Sequence, residues 1–155
     1  RIRAAVDVRD EAESDLVIVG RTDAREPQGM EAAVERGRAL EDAGADVIFV
    51  EAPESRDELE RAGTAFDVPT FANMIEGGKT PYLSYDELDS LGFDVVVYPL
   101  SSLFAYTRAV RDTYAALADE GETSSVEKVS FDEYDELIGA DEYREMERRY
   151  AETNK

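Results

Sequence analysis

The chain has 155 residues, and its 37 Asp+Glu against 17 Lys+Arg give a formal net charge of -20. That balance excludes nucleic acid and anionic membranes as partners, because either would meet repulsion over most of the surface. With neither cysteine nor histidine, it has no disulfide, thiolate metal site or cysteine nucleophile, and it lacks the commonest general base.

The length suits one domain with a core of its own. Among the basic residues only Lys79, Lys128 and Lys155 are lysines. Abundant acid with scarce lysine suits a halophilic cytoplasm, where molar salt shortens self-repulsion to a few Å. No stretch approaches the ~20 apolar residues of a membrane span. The N-terminal Arg1-Ile2-Arg3 lacks the apolar region of a signal peptide, so a cytoplasmic location is expected. The chain starts without Met inside a helical pattern, with Ile2, Ala5 and Val6 on one face. This start reads as a piece of a longer protein.

Four apolar runs follow in order: Leu16-Val17-Ile18-Val19-Gly20, Val47-Ile48-Phe49-Val50, Thr70-Phe71-Ala72 and Val95-Val96-Val97-Tyr98. Short, near-continuous runs of this kind predict parallel strands buried on both faces. Between the first two, Met30, Val34, Gly37 and Leu40 recur at helical spacing, and Ala43-Gly44 supplies a C-terminal glycine signal. Ser55 with Glu58 predicts a capping box before the next helix, and Ser84 with Glu87 predicts another ahead of Leu88 and Leu91. Gly77-Gly78-Lys79-Thr80-Pro81 predicts a flexible loop. After the fourth strand, Leu103, Tyr106, Val110, Tyr114 and Leu117 mark a long amphipathic helix ending near Gly121. A polar linker, 122–128, leads to two short helical patterns: Phe131, Tyr134, Leu137 and Ile138, then Tyr143, Met146 and Tyr150.

The predicted fold is therefore α/β: four βα units, about half of the roughly 250 residues that a (β/α)8 TIM barrel needs, followed by a helical C-terminal tail. Residues 1–121 form the half barrel with its long last helix, and residues 122–155 form the tail. Right-handed crossovers place the four strands side by side, leaving two apolar edges.

The runs end in Arg21, Glu51, Asn73 and the Ser101-Ser102 pair. In an α/β barrel, residues at the carboxyl ends of strands face one cavity. Arg21 offers a planar fork for a carboxylate or enolate oxygen, or else an ion pair with Asp23 or Glu51. Glu51 is either proton-active or ligand-bound, or the partner of Arg21. Asn73 can hydrogen-bond a substrate carboxylate or serve a turn. Ser101 and Ser102 cap the helix they begin or contribute to an anion site there. The acids Asp132, Glu133, Asp135 and Glu136 read as a solvated helix face.

Four segments together resemble the isocitrate lyase/phosphoenolpyruvate mutase superfamily. They are Val19-Gly20-Arg21-Thr22-Asp23-Ala24-Arg25, Phe49-Val50-Glu51-Ala52-Pro53, Ala72-Asn73-Met74-Ile75-Glu76-Gly77-Gly78-Lys79-Thr80-Pro81 and Ser130-Phe131-Asp132-Glu133-Tyr134. The third is most similar to the branch containing the petal death protein and 2,3-dimethylmalate lyase, whose members are often labelled carboxyvinyl-carboxyphosphonate phosphorylmutase. The resemblance implies strands 5–8 of a barrel whose last helix is swapped between subunits in a homotetramer, a dimer of dimers. It also implies Mg²⁺ and cleavage of a C–C bond beside a 2-oxygenated carboxylate. On this resemblance Arg21 and Glu51 are catalytic, and Arg21, Glu51, Asn73 and Ser101 bind substrate. The family's Asp-x-Asp metal ligands and Lys-Lys-Cys-Gly-His gate loop are absent, so the Mg²⁺ ligands are expected in a missing N-terminal half. Phe104 stands where methylisocitrate lyases carry an arginine, which argues against a tricarboxylate.

The expected function is thus the C-terminal half of a Mg²⁺-dependent lyase acting on oxaloacetate or a 2-alkylmalate-type dicarboxylate, by retro-aldol cleavage or decarboxylation through an enolate. One alternative is a phosphonate-forming phosphoenolpyruvate or carboxyphosphonoenolpyruvate mutase, although in the mutases the end of strand six resembles Met-His-Ser rather than Val50-Glu51-Ala52. The other is an inactive fragment that needs a complementary half.

Overall fold

The computed structural model describes residues 1–151. Helix α1 (Ile2–Glu11) precedes strand β1 (Val19–Thr22), which is followed by α2 (Arg25–Gln28) and α3 (Met30–Glu41). Next come β2 (Val47–Val50), α4 (Arg56–Thr64), β3 (Thr70–Asn73), α5 (Tyr85–Ser90) and β4 (Val95–Val97). The long helix α6 (Ser101–Asp119) then leads to α7 (Phe131–Leu137) and α8 (Ala140–Ala151). The strands form one sheet in the order β1-β2-β3-β4, every pair parallel. This is the α/β arrangement of one half of a (β/α)8 barrel.

The chain divides into two compact units, the first Arg1–Tyr106 and the second beginning at Thr107. The first contains the sheet. Its core is built from Ile48 on β2, Val34 on α3, Leu59 on α4, Met74 after β3 and Leu88 on α5, all nearly inaccessible to solvent. Helix α3 buries Met30, Ala33, Val34 and Gly37, the face that the spacing in the sequence predicts.

The first strand differs from its prediction. Leu16 and Val17 lie outside β1 and are about two-thirds exposed, whereas Arg21 and Thr22 lie within it. The reason is register: Val19 pairs with Val47, the first residue of β2, so residues before Val19 have no ladder partner there. Leu16, Val17 and Ile18 instead line a surface groove with Ala5, Val8 and Ala12 of the α1 segment. The short helix α2 has no counterpart among the predicted elements.

One carboxylate ties α1 to the start of the sheet. Asp46, just before β2, accepts two hydrogen bonds from Arg9 Nη1 of α1, at 3.0 and 2.7 Å, and a third from the Ile18 N–H at 2.7 Å. The Ile18 N–H, and after it the Arg9 guanidinium, hold the Asp46 carboxyl below the usual aspartate range.

Capping follows the predicted chemistry with one exception. Ser84 and Glu87 complete a reciprocal box at α5, as do Ser130 and Glu133 at α7. At α4, Ser55 Oγ accepts the Glu58 N–H at 3.1 Å. The Glu58 carboxylate does not return to Ser55, because it accepts instead from the Glu54 N–H at 2.7 Å and from Arg25. Two glycines permit a close backbone crossing: a Cβ on Gly63 of α4 would sit 2.3 Å from the Leu91 carbonyl oxygen, and Gly92 holds φ +91°.

In the second unit, α7 and α8 are joined by Arg144, which pairs with Asp135 and Asp141. Apolar side chains on these helices are solvent-exposed, Phe131 at 90 % and Leu137 at 78 %. Among the described residues no helix is long and apolar enough to cross a membrane.

Gly63→Ala is expected to destabilise the first unit by about 1–3 kcal/mol through overpacking against rigid backbone, measured by denaturant unfolding. Acid should also weaken the fold. A depressed carboxyl contributes stability that is present above its unfolded pKa, roughly 3.9, and lost as pH falls through the lower folded value. Asp46→Asn, which keeps an acceptor for Ile18, should lose stability at neutral pH and show a shallower decline below about pH 4.

Candidate functional site

All four strands run the same way, so their carboxyl ends form one rim. A cavity of about 280 Å³ opens there, near the lower end of the roughly 300–1,000 Å³ typical of small-molecule sites. Its wall includes Arg21 of β1, Phe49 of β2, Glu51 directly after β2 and Asn73, the last residue of β3.

Arg21 makes both of the ion pairs left open by the sequence. Its Nε and Nη2 donate to Asp23, at 3.2 and 2.7 Å to Oδ1, and Nη2 lies 3.1 Å from Glu51 Oε2. Its guanidinium also stands over the Phe49 ring, 5.1 Å from the centroid, and Phe49 in turn packs on Phe71 at 4.7 Å. The Asp23 hydrogen bonds chiefly, with the nearby Glu51 charge, raise the Arg21 pKa against the opposing effect of burial. Arg21 is a fixed cation. Nη1 takes part in neither pairing, so its two N–H donors are left out of both.

Glu51 and Asn73 each carry a buried oxygen with an unmet hydrogen-bonding need. Among the described residues, Glu51 Oε2 is close to Arg21 but receives no well-aligned hydrogen bond, and Asn73 Oδ1 has no partner. Such groups cost free energy when buried, and here both belong to the cavity wall. Between Glu51 and Pro53, Ala52 holds φ +54°. A left-handed alanine costs about 1–2 kcal/mol, and this one lines the same cavity.

A clamp fixes that strained turn. Arg25 of α2 donates from Nε and Nη2 to the two Glu58 oxygens, at 2.8 and 3.0 Å, and its Nη1 pairs with Glu54 at 2.6 Å. The Arg25 side chain is largely buried. The turn after β2 is thereby fastened to the segment after β1. Local sequence does not reveal this role of Arg25, because its contact with Glu58 joins residues 33 apart.

Ser101 does not line the cavity. It is the first residue of α6, and its hydroxyl donates to Glu76 in the loop after β3. The structure thus brings Arg21, Glu51 and Asn73 together and leaves Ser101 outside the cavity wall, bonded to Glu76 of the loop. Asp23, Glu26 and Lys79 join the wall; only long-range folding reveals the last two, and Lys79 in particular reaches Glu26 across 53 residues.

The model of the family described as phosphoenolpyruvate phosphomutase matches residues 1–118. The 2,3-dimethylmalate lyase of Eubacterium barkeri is 42 % identical over 97 % of this chain and 52 % of its own length. Among solved structures, oxaloacetate acetylhydrolase in complex with 3,3-difluorooxalacetate superimposes with a TM-score of 0.87 at 30 % identity, over 97 % of this chain and 51 % of that one. Phosphonopyruvate hydrolase in complex with oxalate and Mg²⁺ gives 0.78 at 30 % identity, over 97 % and 54 %. The chain spans about half the length of the relatives it matches.

Magnesium calls for several converging oxygen ligands. Among the described residues no three Asp, Glu, His or Cys side chains form such a group, and the buried Glu51 oxygen faces a guanidinium. These residues do not fit a resident metal ion. The sequence motifs, the parallel βα architecture and the matched relatives agree, and the chain belongs to the phosphoenolpyruvate phosphomutase family, within the isocitrate lyase/phosphoenolpyruvate mutase superfamily.

Proposed function

We propose that this chain supplies one wall of the active site of a carbon–carbon lyase acting on oxaloacetate or a 2-alkylmalate-type dicarboxylate. The observation that carries this reading is the convergence of Arg21, Glu51 and Asn73 on a single small cavity at the strand ends. Breaking a C–C bond beside a 2-oxygenated carboxylate leaves an electron pair that becomes an enolate. A fixed guanidinium whose Nη1 donors lie outside its two ion pairs suits that developing charge. Glu51 and Asp23 hold the guanidinium in place, so little reorganisation is needed when charge appears. The buried Asn73 oxygen suits a substrate hydroxyl, the donor it otherwise lacks. Ser101 acts through Glu76, by anchoring the loop that covers the cavity.

Magnesium enters no step of this account, since the described residues hold no cluster for it; its ligands are assigned to the portion of the relatives' length that this chain does not match. On α6, Leu103, Tyr106, Tyr114 and Leu117 are each about half exposed or more. That stripe supports an oligomer in which the helix is exchanged between subunits.

A phosphonate mutase is the second reading, favoured by the description of the matched family. Glu51 separates the two, because an acid paired to Arg21 serves enolate chemistry. Product analysis decides: 2-oxo acid release supports the lyase, and phosphorus–carbon bond formation or isomerisation supports the mutase.

The isolated 155-residue chain is expected not to cleave oxaloacetate or 2-alkylmalates, with or without Mg²⁺. Joined to a matching first half it should do so, and Arg21→Ala should then lower the rate about 10²–10³-fold, the loss typical of one charge-stabilising donor. Arg21→Lys should remain impaired, because a point charge does not reproduce a fork. Turnover by the lone chain, or an unaffected Arg21→Ala enzyme, would overturn the assignment.

A further inference from the structure

The loop between β3 and α5 spans residues 74–84, and it is tied at both its root and its tip. At the root, the Gly78 N–H donates to the Ile75 carbonyl at 3.0 Å, and Gly77 takes φ +75°, which closes a tight turn. The Glu76 carboxylate there accepts from the Ser101 hydroxyl and from the Tyr82 hydroxyl, the latter at 3.4 Å. At the tip, Lys79 Nζ pairs with Glu26 of α2. Lys79, Glu26 and Arg21 all line the cavity at the strand ends. The lysine therefore reaches from the loop after β3 to the segment after β1, along the wall that holds Arg21.

Charge accounting makes this lysine important. The cavity wall carries two cations, Arg21 and Lys79, against three acids, Asp23, Glu26 and Glu51. Arg21 is already engaged by two of those acids, and its free edge fits one carboxylate or enolate. A dicarboxylate brings a second negative group into a wall that otherwise repels it. Among the described residues Lys79 forms an ion pair with Glu26, with Glu54 adding a weaker attraction, and the Lys79 and Glu26 side chains are both more than half exposed. Exposed ion pairs of that kind contribute little, so the ammonium is readily shared. It carries three donors and can hold Glu26 and a ligand carboxylate together.

We infer that Lys79 is a specificity-determining residue, binding the second, non-reacting carboxylate of a dicarboxylate substrate, with Glu26 as its competing counter-ion. This rests on the lyase reading above and names the group that selects dicarboxylates within it. Lysine at this position favours two negative groups over one; Glu26 tunes how strongly.

The test uses the enzyme assembled from this chain and a matching first half. Lys79→Ala should raise KM for oxaloacetate or a 2-alkylmalate about 10–100-fold, the range for a lost charged hydrogen bond, with kcat changed far less. Lys79→Arg should recover most of the loss, and Glu26→Gln should lower KM by releasing the ammonium. Inhibition by a monocarboxylate such as 2-hydroxybutyrate should be insensitive to all three variants. An active wild type whose KM is untouched by Lys79→Ala and Glu26→Gln overturns the inference and leaves the lyase reading standing. If the assembled enzyme has no lyase turnover, that reading fails, and calorimetry with malonate and acetate decides for Lys79 independently. Weaker malonate binding by Lys79→Ala with unchanged acetate binding supports it; equal losses for both acids, or none, overturn it.

Discussion

Parallel pairing of the four strands is the constraint from which the rest follows. Each strand needs a crossover helix to return the chain to its starting edge, so every strand delivers its carboxyl end to the same side. Arg21, Glu51 and Asn73 are far apart in sequence, but each sits at the carboxyl end of a strand: Arg21 one residue before the end of β1, Glu51 just past β2 and Asn73 last in β3. No specific long-range contact is needed to gather them. The sheet does it by direction alone, and the contacts then refine the geometry.

That refinement is electrostatic, and it works against the overall charge. On the function proposed above, a chain with a formal net of -20 has to present positive charge to an anionic ligand, and the cation must not be neutralised by the acids around it. Arg21 solves this by geometry: Nε and Nη2 face Asp23 and Glu51 while Nη1 lies outside those pairings. The Phe49 ring below it removes water from one face, which strengthens the remaining interactions at the cavity. Arg25 does comparable work one layer behind, with its bonds to Glu54 and Glu58 holding the strained Ala52 turn in place. Strain of that sort persists only where neighbours over-determine the backbone.

Much of this was legible in the sequence, for physical reasons that can be named. The runs Val47–Val50 and Thr70–Ala72 predict β2 and β3 nearly to the residue, because they are short, rich in β-branched and aromatic residues and bounded by turn signals. Arg21, Glu51 and Asn73 were visible as polar residues closing those runs. The first run misled, since Leu16 and Val17 are apolar for a groove beside α1 and not for the ladder; an apolar run reports burial or contact, but not which. Glu58 misled in a smaller way, as its capping signal was real on the Ser55 side while its carboxylate answered to Arg25. Glu26 and Lys79 were not legible as site residues. An ion pair between positions 53 apart leaves no trace in local pattern, and a lysine in a glycine-rich loop reads equally well as solvated.

The edges of the sheet complete the argument. Val19 on β1 and Val95 on β4 belong to the outer strands and are each more than a third exposed. Leu16, Val17 and Val8 extend the apolar surface on the β1 side, and Tyr98 does so just past β4. Outer strands that meet water usually carry charge, proline or a bulge to prevent pairing; β1 carries Arg21, whereas β4 is three valines. A segment that pairs with either edge in parallel brings its own carboxyl end to the same rim, whereas an antiparallel partner does not. A parallel partner therefore places its strand-end residues beside the cavity that already holds Arg21, Glu51 and Asn73. For such a partner, covering an edge and extending the rim are one structural event, because strand direction sets both.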